Sequence, residues 1–342
     1  MAPCFFIPMY PIGKLPPADL ARLLEGYTSP DPRLILGGAI GEDAAVIDMG
    51  DRYLVAKTDP ITFATDQIGW YAVNVNANDI ACTGATPRWF LAALLLPEAK
   101  TTPALVEDIF RQISAACADL GISLAGGHTE ITYGLDRPLV IGHMLGEVAP
   151  DQMIRTAGAR AGDQLILTKG IAVEATAIIA KEKRAELSAY FDTTYLDRCA
   201  NFLRQPGISV VKDAAIARAA GGVHALHDPT EGGLATGLHE LAQAAGVGLA
   251  VEAEQLPYLP ETVSLCKHFN LNPLGVIASG SLLIAADPNS STEIIQQLQQ
   301  AGIAASLIGQ VLPPEEGTLL VGRAGAVPLP VFARDEITRL FE

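Results

Sequence analysis

The sequence predicts a two-domain α+β protein, and three observations predict it. The chain has 342 residues, more than a single domain usually holds. Strand-like and helix-like stretches alternate in both halves. A polar connector, "APDQMIRTAGARAGD", interrupts that alternation from Ala149 onward. The expected division is therefore 1–148 and 149–342.

Each element has its own reason. "PPADLARLLEG" is a short helix with Leu20, Leu23 and Leu24 on one side. "AAVIDMGDRYLVAKTD" is a hairpin, because two apolar runs flank the turn "DMGD". Residues 67–84 read as a helix ended by Gly84, with Ile68, Tyr71, Val75 and Ile80 at mostly helical spacing. Its three asparagines are unusual for a buried segment. "RWFLAALLLP" is a buried strand. "TPALVEDIFRQISAACADLG" is a long amphipathic helix, striped by Leu105, Ile109, Ile113, Ala116 and Leu120. "RPLVIGHMLGEV" is a further strand. In the second half "QLILTKG", "VHALHD", "VGLAVEAEQLP", "GSLLIAAD" and "AASLIGQVL" read as strands. "VEATAIIAKEKRAEL", "ISVVKDAAIARAAG", "GGLATGLHELAQAAG" and "STEIIQQLQQAG" read as helices.

Composition narrows the function. Apolar residues make up 49% and charged ones 18%, enough for packed cores. A net charge of −15 argues against non-specific binding to nucleic acid or anionic membrane. It leaves phosphate ligands open, since acidic sites hold phosphates through divalent cations. No apolar run approaches the roughly 20 residues of a membrane span. The first fifteen residues lack a basic region and are broken by prolines, so a cytoplasmic location is expected. Cys4, Cys82, Cys117, Cys199 and Cys266 form no C-x-x-C pair, which argues for buried thiols over a zinc or disulfide framework.

Four acids stand beside small or turn residues: Asp43 in "GEDAAVID", Asp59 in "AKTDP", Asp79 in "NANDIACTGA" and Asp228 in "HDPTEGG". Each can cap its own turn. If the fold converges them instead, their mutual repulsion needs a cation. Magnesium suits few carboxylates, several waters and substrate phosphates. Two glycine turns accompany the acids. In "LAGGHTEI", Gly126 and Gly127 let backbone approach a phosphate, with His128 and Glu130 facing the same space. In "HDPTEGGLATGL", Gly232 and Gly233 precede a helix whose N-terminus suits an anion. A paired glycine can also simply close a loop. His224 and His227 receive no catalytic role. No nucleophile elbow, Walker loop or kinase signature is present. Lys14, Lys57 and Lys169 are the lysines nearest these motifs.

In this order the motifs resemble the PurM-like, or aminoimidazole ribonucleotide (AIR) synthase-related, superfamily. The matching stretches are "GEDAAVID", "VAKTDPITF", "NVNANDIACTGATPRWFLAALLLP", "LAGGHTEI", "IRTAGARAGDQLILTKG" and "HDPTEGGLATGLHELAQAAGVGLAVE". The resemblance points most closely to the branch of the hydrogenase maturation factor HypE. Selenophosphate synthetase and thiamine-monophosphate kinase belong to the same superfamily.

The resemblance implies an N-terminal sheet-and-helix domain that forms a homodimer and a C-terminal α/β domain beside it. It implies ATP and Mg2+ as cofactors and phosphoryl transfer to an unidentified small molecule. It places Asp43, Asp59, Asp79 and Asp228 on metal positions, and Asp43, Asp79, Asp228 and His128 in catalytic roles. Nucleotide contacts fall on Lys57, Thr58, Asp59, Asn78, Gly126, Gly127, Thr129, Thr230, Gly232 and Gly233. Such chemistry works by positioning and charge neutralisation, which fits the missing nucleophile. The chain departs from HypE in ending "ARDEITRLFE", without a terminal cysteine, and in carrying Glu231 after "DPT". The family's "GGD" is "GGH" here. A HypE-like maturation factor, binding nucleotide but working through a protein partner, is the alternative implied.

Overall fold

A computed structural model describes residues 10, 15–38, 44–61 and 66–341. Asp43, Glu42, Lys14 and Cys4 lie outside the described residues.

The first half comprises α1 (Pro17–Tyr27), β1 (Leu34–Leu36), β2 (Ala45–Asp48), β3 (Tyr53–Ile61), α2 (Ile68–Cys82), β4 (Thr86–Pro97), α3 (Pro103–Leu120), β5 (Ser123–Thr132) and β6 (Leu139–Val148). Its strands form one sheet in the order β1-β2-β3-β6-β4-β5. Among the described residues of this sheet, only β4 and β5 pair in parallel, joined through α3. Thr102 caps α3 by accepting from the Leu105 N–H, and Gly121 ends it in the left-handed region. The predicted apolar stripe of α3 faces the core, with Ile109, Ile113 and Ala116 buried.

Every residue of α2 is buried, its three asparagines included. Their Nδ2 groups find carbonyl partners, while the buried Oδ1 atoms of Asn74 and Asn76 have no hydrogen-bond partner among the described residues. Asn74 donates to the Trp70 carbonyl and Asn76 to the Ala72 carbonyl, one turn back. Asn76 also donates to the Asp59 carbonyl on β3. The sheet makes room for this helix with glycine. A Cβ on Gly142 would stand 2.3 Å from Asn76 Nδ2, and one on Gly146 2.3 Å from Ile80 Cγ2.

The second half comprises β7 (Gln164–Thr168), α4 (Val173–Glu182), α5 (Arg184–Leu187), α6 (Thr193–Ala200), α7 (Val211–Ala220), β8 (Val223–His227), α8 (Gly233–Ala245), β9 (Gly248–Glu252), α9 (Pro260–His268), β10 (Leu283–Ala286), α10 (Pro288–Gln300), β11 (Ala305–Leu312), β12 (Thr318–Gly322) and β13 (Gly325–Pro328). Its sheet runs β13-β12-β9-β11-β7-β10-β8, with only β9–β12 parallel. Together the two sheets and their helices make the two-domain PurM-like α+β architecture.

Several local expectations change. The helix expected over 173–187 is interrupted at Lys183. The helix expected from Ile208 begins only at Val211, and the preceding Val210 N–H donates to Asn78 Oδ1 at 2.8 Å. The supposed glycine turn at 124–131 is part of the continuous strand β5. Helices α6 and α9 are additions to the expected elements; their short apolar patterns are masked by aromatic and polar residues.

The halves share a core. Val173, Ala177, Phe202, Leu203 and Ile208 of the second half pack into the cluster built by α2, α3 and the first sheet. Asn78 completes the junction, donating to the Ile208 carbonyl at 2.8 Å while accepting from Val210. Asn78→Ala is expected to leave both buried backbone groups unpaired, costing about 2–5 kcal/mol. Urea unfolding should report this as an earlier midpoint, and an unchanged midpoint would count against the bridge.

Cys82, Cys117, Cys199 and Cys266 are buried thiols, as the composition suggested. Burial pushes the Cys117 and Cys199 thiols up to about 11 and that of Cys266 to about 12.

Candidate active site

The site begins on β3. Strand alternation puts Lys57 and Asp59 on one face, two residues apart. That face meets α2, and Asp79 in its last turn. Lys57 Nζ lies 3.1 Å from Asp79 Oδ2 and 3.8 Å from Asp59 Oδ2. The ammonium thus sits between two carboxylates, supplying the counter-charge that their approach requires. Asp79 is almost fully buried, whereas Asp59 remains more than a third exposed. The pair opens to solvent on the Asp59 side.

Asp228 reaches the same helix from the other domain. It follows β8 and is 2% exposed. Cys82 Sγ donates to Asp228 Oδ1 at 3.4 Å. Asp79 and Cys82 are one turn apart on α2, so Asp228 abuts the face that carries Asp79. Three of the four predicted aspartates therefore gather around the end of α2. Among the described residues, no group of three or more His, Cys, Asp or Glu is arranged to hold a metal ion. The donor chemistry, carboxylate oxygens on neighbouring rigid elements, nevertheless fits a hard divalent cation.

The other predicted residues are distributed less simply. Thr58 donates to the Gly142 carbonyl across the sheet at 2.9 Å. Asn78 devotes its amide to the domain junction described above. Gly126, Gly127, His128 and Thr129 lie exposed on edge strand β5. His128 Nε2 is 3.3 Å from Glu130 Oε2, so these two do share a space. Gly127 is required by packing: its φ is +149°, and a Cβ would stand 1.9 Å from the Ala92 carbonyl oxygen. Registers align Asp59 with Gly142, Gly142 with Ala92, and Ala92 with Gly127. The two phosphate-binding candidates thus share one row, three strand spacings or roughly 14 Å apart.

The second glycine turn also differs from its reading. Gly232 and Gly233 both have positive φ and lead into α8. A Cβ on Gly233 would stand 2.5 Å from the Leu274 carbonyl oxygen. The Thr230 carbonyl accepts from the N–H groups of Gly233 and Ala278. The Gly232 N–H, predicted to meet a ligand anion, donates to Asp335 Oδ2 at 2.7 Å. A carboxylate of the chain itself occupies that place.

His224 contacts Asp163 and His227 contacts Glu240, consistent with structural roles. Lys169 is buried in the left-handed region at φ 58°, beside Asp213 at 3.3 Å. Burial lowers its pKa, with Asp213 acting in the opposite direction. A cavity of about 530 Å3 lies between the domain connector and α7, lined by Gln152, Ile154 and Arg218 among others. It contains none of the predicted site residues.

Sequence reasoning missed Glu174 and Asp335. Glu174 carried a signal: it is a lone acid in the apolar run "GIAVEATAIIA", and acids are rarely buried without a partner. Asp335 carried none, because "RDEIT" reads as an ordinary helix cap.

Two α+β domains joined by a shared core, with Asp79, Lys57 and Asp228 at their junction, define a PurM-like protein. The AIR synthase related protein model for the N-terminal domain matches residues 41–148, and that for the C-terminal domain matches residues 160–322. The chain belongs to the AIR synthase-related family. It is 30% identical to carbamoyl dehydratase HypE of Rhodobacter capsulatus, over 83% of this chain and 78% of that protein. It is 29% identical to selenide, water dikinase of Dechloromonas aromatica, over 89% of this chain and 93% of that one. The crystal structure of hydrogenase maturation protein HypE in complex with ATP superposes with a TM-score of 0.71 at 20% identity, covering 93% of this chain and 96% of that one. No described helix is long and apolar enough to cross a membrane.

Proposed function

We propose that the protein is an ATP- and magnesium-dependent enzyme that activates a small molecule by phosphoryl transfer. The observation that carries this reading is the buried Asp79, held by Lys57 beside Asp59, with Asp228 brought against the same end of α2. The likeness to HypE in complex with ATP and to a selenide, water dikinase supports it. Magnesium would be held by Asp59, Asp79 and Asp228, with Asp43 as the fourth candidate. Held there, the cation would supply the charge neutralisation that phosphoryl transfer requires. Lys57 would exchange a carboxylate for a phosphate oxygen, remaining a point charge throughout. Asp79 would keep that ammonium in place. Asp228 would bring the second domain to the same phosphates.

The working unit in this reading is a homodimer. Strand β5 is exposed along its length and displays Leu124 and Ile131, an edge that invites pairing. A second copy packed there would cover those side chains and enclose the Gly126–His128 segment. Light scattering should give a particle of twice 35.9 kDa, and Ile131→Lys should shift it toward monomer. A monomeric wild-type protein would remove the dimer from the proposal.

The direct test is the melting temperature with ATP and magnesium, together with phosphate release. A bound ligand stabilises by about RT ln(1 + [L]/Kd). A protein that neither shifts nor hydrolyses ATP would overturn the reading. Binding without turnover, together with a stable stoichiometric protein partner, would move the chain to the maturation-factor reading.

A further inference from the structure

The C-terminal segment crosses the second domain and touches the glycine turn through Asp335. Leu329 and Ile337 are buried, and Phe332 packs over Gly275. His239 on α8 contacts the Pro330 carbonyl at 3.3 Å. Glu336 accepts from the Asn272 N–H, and Arg339 donates to the Asn270 carbonyl. Between these anchors Asp335 turns inward. Its Oδ2 accepts from Gly232, its Oδ1 from the Ile337 N–H at 2.9 Å, and the Ile277 N–H also supports it. Burial nevertheless raises its pKa above the usual carboxylate range.

A second buried carboxyl lies within electrostatic reach of Asp335. Glu174, at the start of α4, is 5% exposed, and its Oε2 has no hydrogen-bond partner. Ser279 bonds its other side. The loop carrying Ser279 ties the two elements: Ala175 N–H donates to the Ile277 carbonyl, and Ala278 N–H to that of Thr230. The titratable groups acting on Glu174 include Asp335 from the C-terminal segment and Glu231 from the glycine turn, both of which raise its pKa. Arg334 adjoins Asp335 in the chain. A charged Glu174 would face like charge in a dry site, so a proton on it is what permits the arrangement.

We propose that residues 329–341 form a proton-gated strap, which Glu174, when protonated, lets Asp335 hold down over the glycine turn. Loss of that proton sets two buried carboxylates against each other and loosens the strap. The Gly232 N–H is then released to an incoming anion.

The direction follows from linkage. Burial, chiefly, raises the Glu174 pKa from 4.5 to about 7, with Asp335 and Glu231 adding to the rise. With the strap lifted, Glu174 meets water and returns toward its ordinary value. The closed state therefore binds the proton more tightly. Closure is strongest below about 4.5, weakens as pH rises, and levels off above about 7.

Hydrogen exchange of the full chain without nucleotide tests this directly, after correction for intrinsic rates. Protection of 329–341 should fall with pH by up to about tenfold per unit between about 5 and 7, then level off. Glu174→Gln, neutral at every pH, should flatten the profile at high protection. Asp335→Asn removes a charge that raises the Glu174 pKa, so the decline should become smaller and level off at lower pH. Its direction decides the matter should Glu174→Gln fail to fold. A pH-independent wild-type strap, or a Glu174→Gln profile that keeps the wild-type slope, would overturn the proposal. The strap rests on the proposed function only for its consequence at the anion site. A pH-gated strap in a protein that ignores ATP would sink that function and leave the strap standing.

Discussion

Asp79→Asn and Asp228→Asn are each expected to abolish most of the melting-temperature rise produced by magnesium and ATP, and to lower ATP hydrolysis by about 100-fold or more. The substitutions preserve shape and remove one charge each. Folding should survive Asp79→Asn, because Lys57 keeps Asp59 at 3.8 Å. Asp228→Asn keeps an oxygen available to Cys82 at the position now occupied by Oδ1, 3.4 Å away. Thermal unfolding without nucleotide should therefore change far less than the nucleotide response. A response equal to wild type in both variants would remove these carboxylates from the site. Asp59→Asn is the informative companion. Asp59 is the more exposed of the two Lys57 partners, so its loss should weaken binding while leaving Asp79 and Lys57 paired.

Phe90→Ala is expected to cost about 3–5 kcal/mol of stability. Phe90 is fully buried on β4, and its ring stands beside Gly142, at the centre of the sheet face that α2 covers. Truncation opens a cavity under the helix that carries Asp79. At roughly 2–4 °C per kcal/mol for a chain of this class, the melting temperature should fall by about 6–20 °C. Calorimetry measures it. A drop below about 1 kcal/mol would mean that the core does not support α2 there. A larger residue at Gly142 should also destabilise, by the opposite mechanism, since its Cβ would meet Asn76 at 2.3 Å.

Much of the fold was legible because its signals are local. Apolar periodicity located α2, α3 and β4, and "DMGD" located the β2–β3 hairpin. Phe191, Tyr195 and Phe269 surround α6 and α9, where side chains pack on neighbours from elsewhere in the chain rather than repeating at helical intervals. The site was legible in part for the same reason. Lys57, Asp59, Asp79 and Asp228 each stand at an element edge, where a polar residue interrupts an apolar run. Their meeting depends on strand register and on the seat of α2 across β6, neither of which is written in any short window.

Three matters belong to the tertiary structure alone. It placed Gly126–His128 three strands from Lys57, because the sheet order sets β5 at the edge rather than beside β3. It turned the Gly232 N–H toward Asp335, a residue 103 positions away. It buried Glu174 among acids that the chain keeps far apart in sequence. The sequence by itself determined most of the elements, their polar interruptions and the resemblance to the family. Those properties rest on dihedral preference and periodicity over a few residues. Which carboxylates meet a lysine, and which meet each other, depends on long-range packing. Only the packed chain sets the distance and desolvation that decide whether an acid is charged.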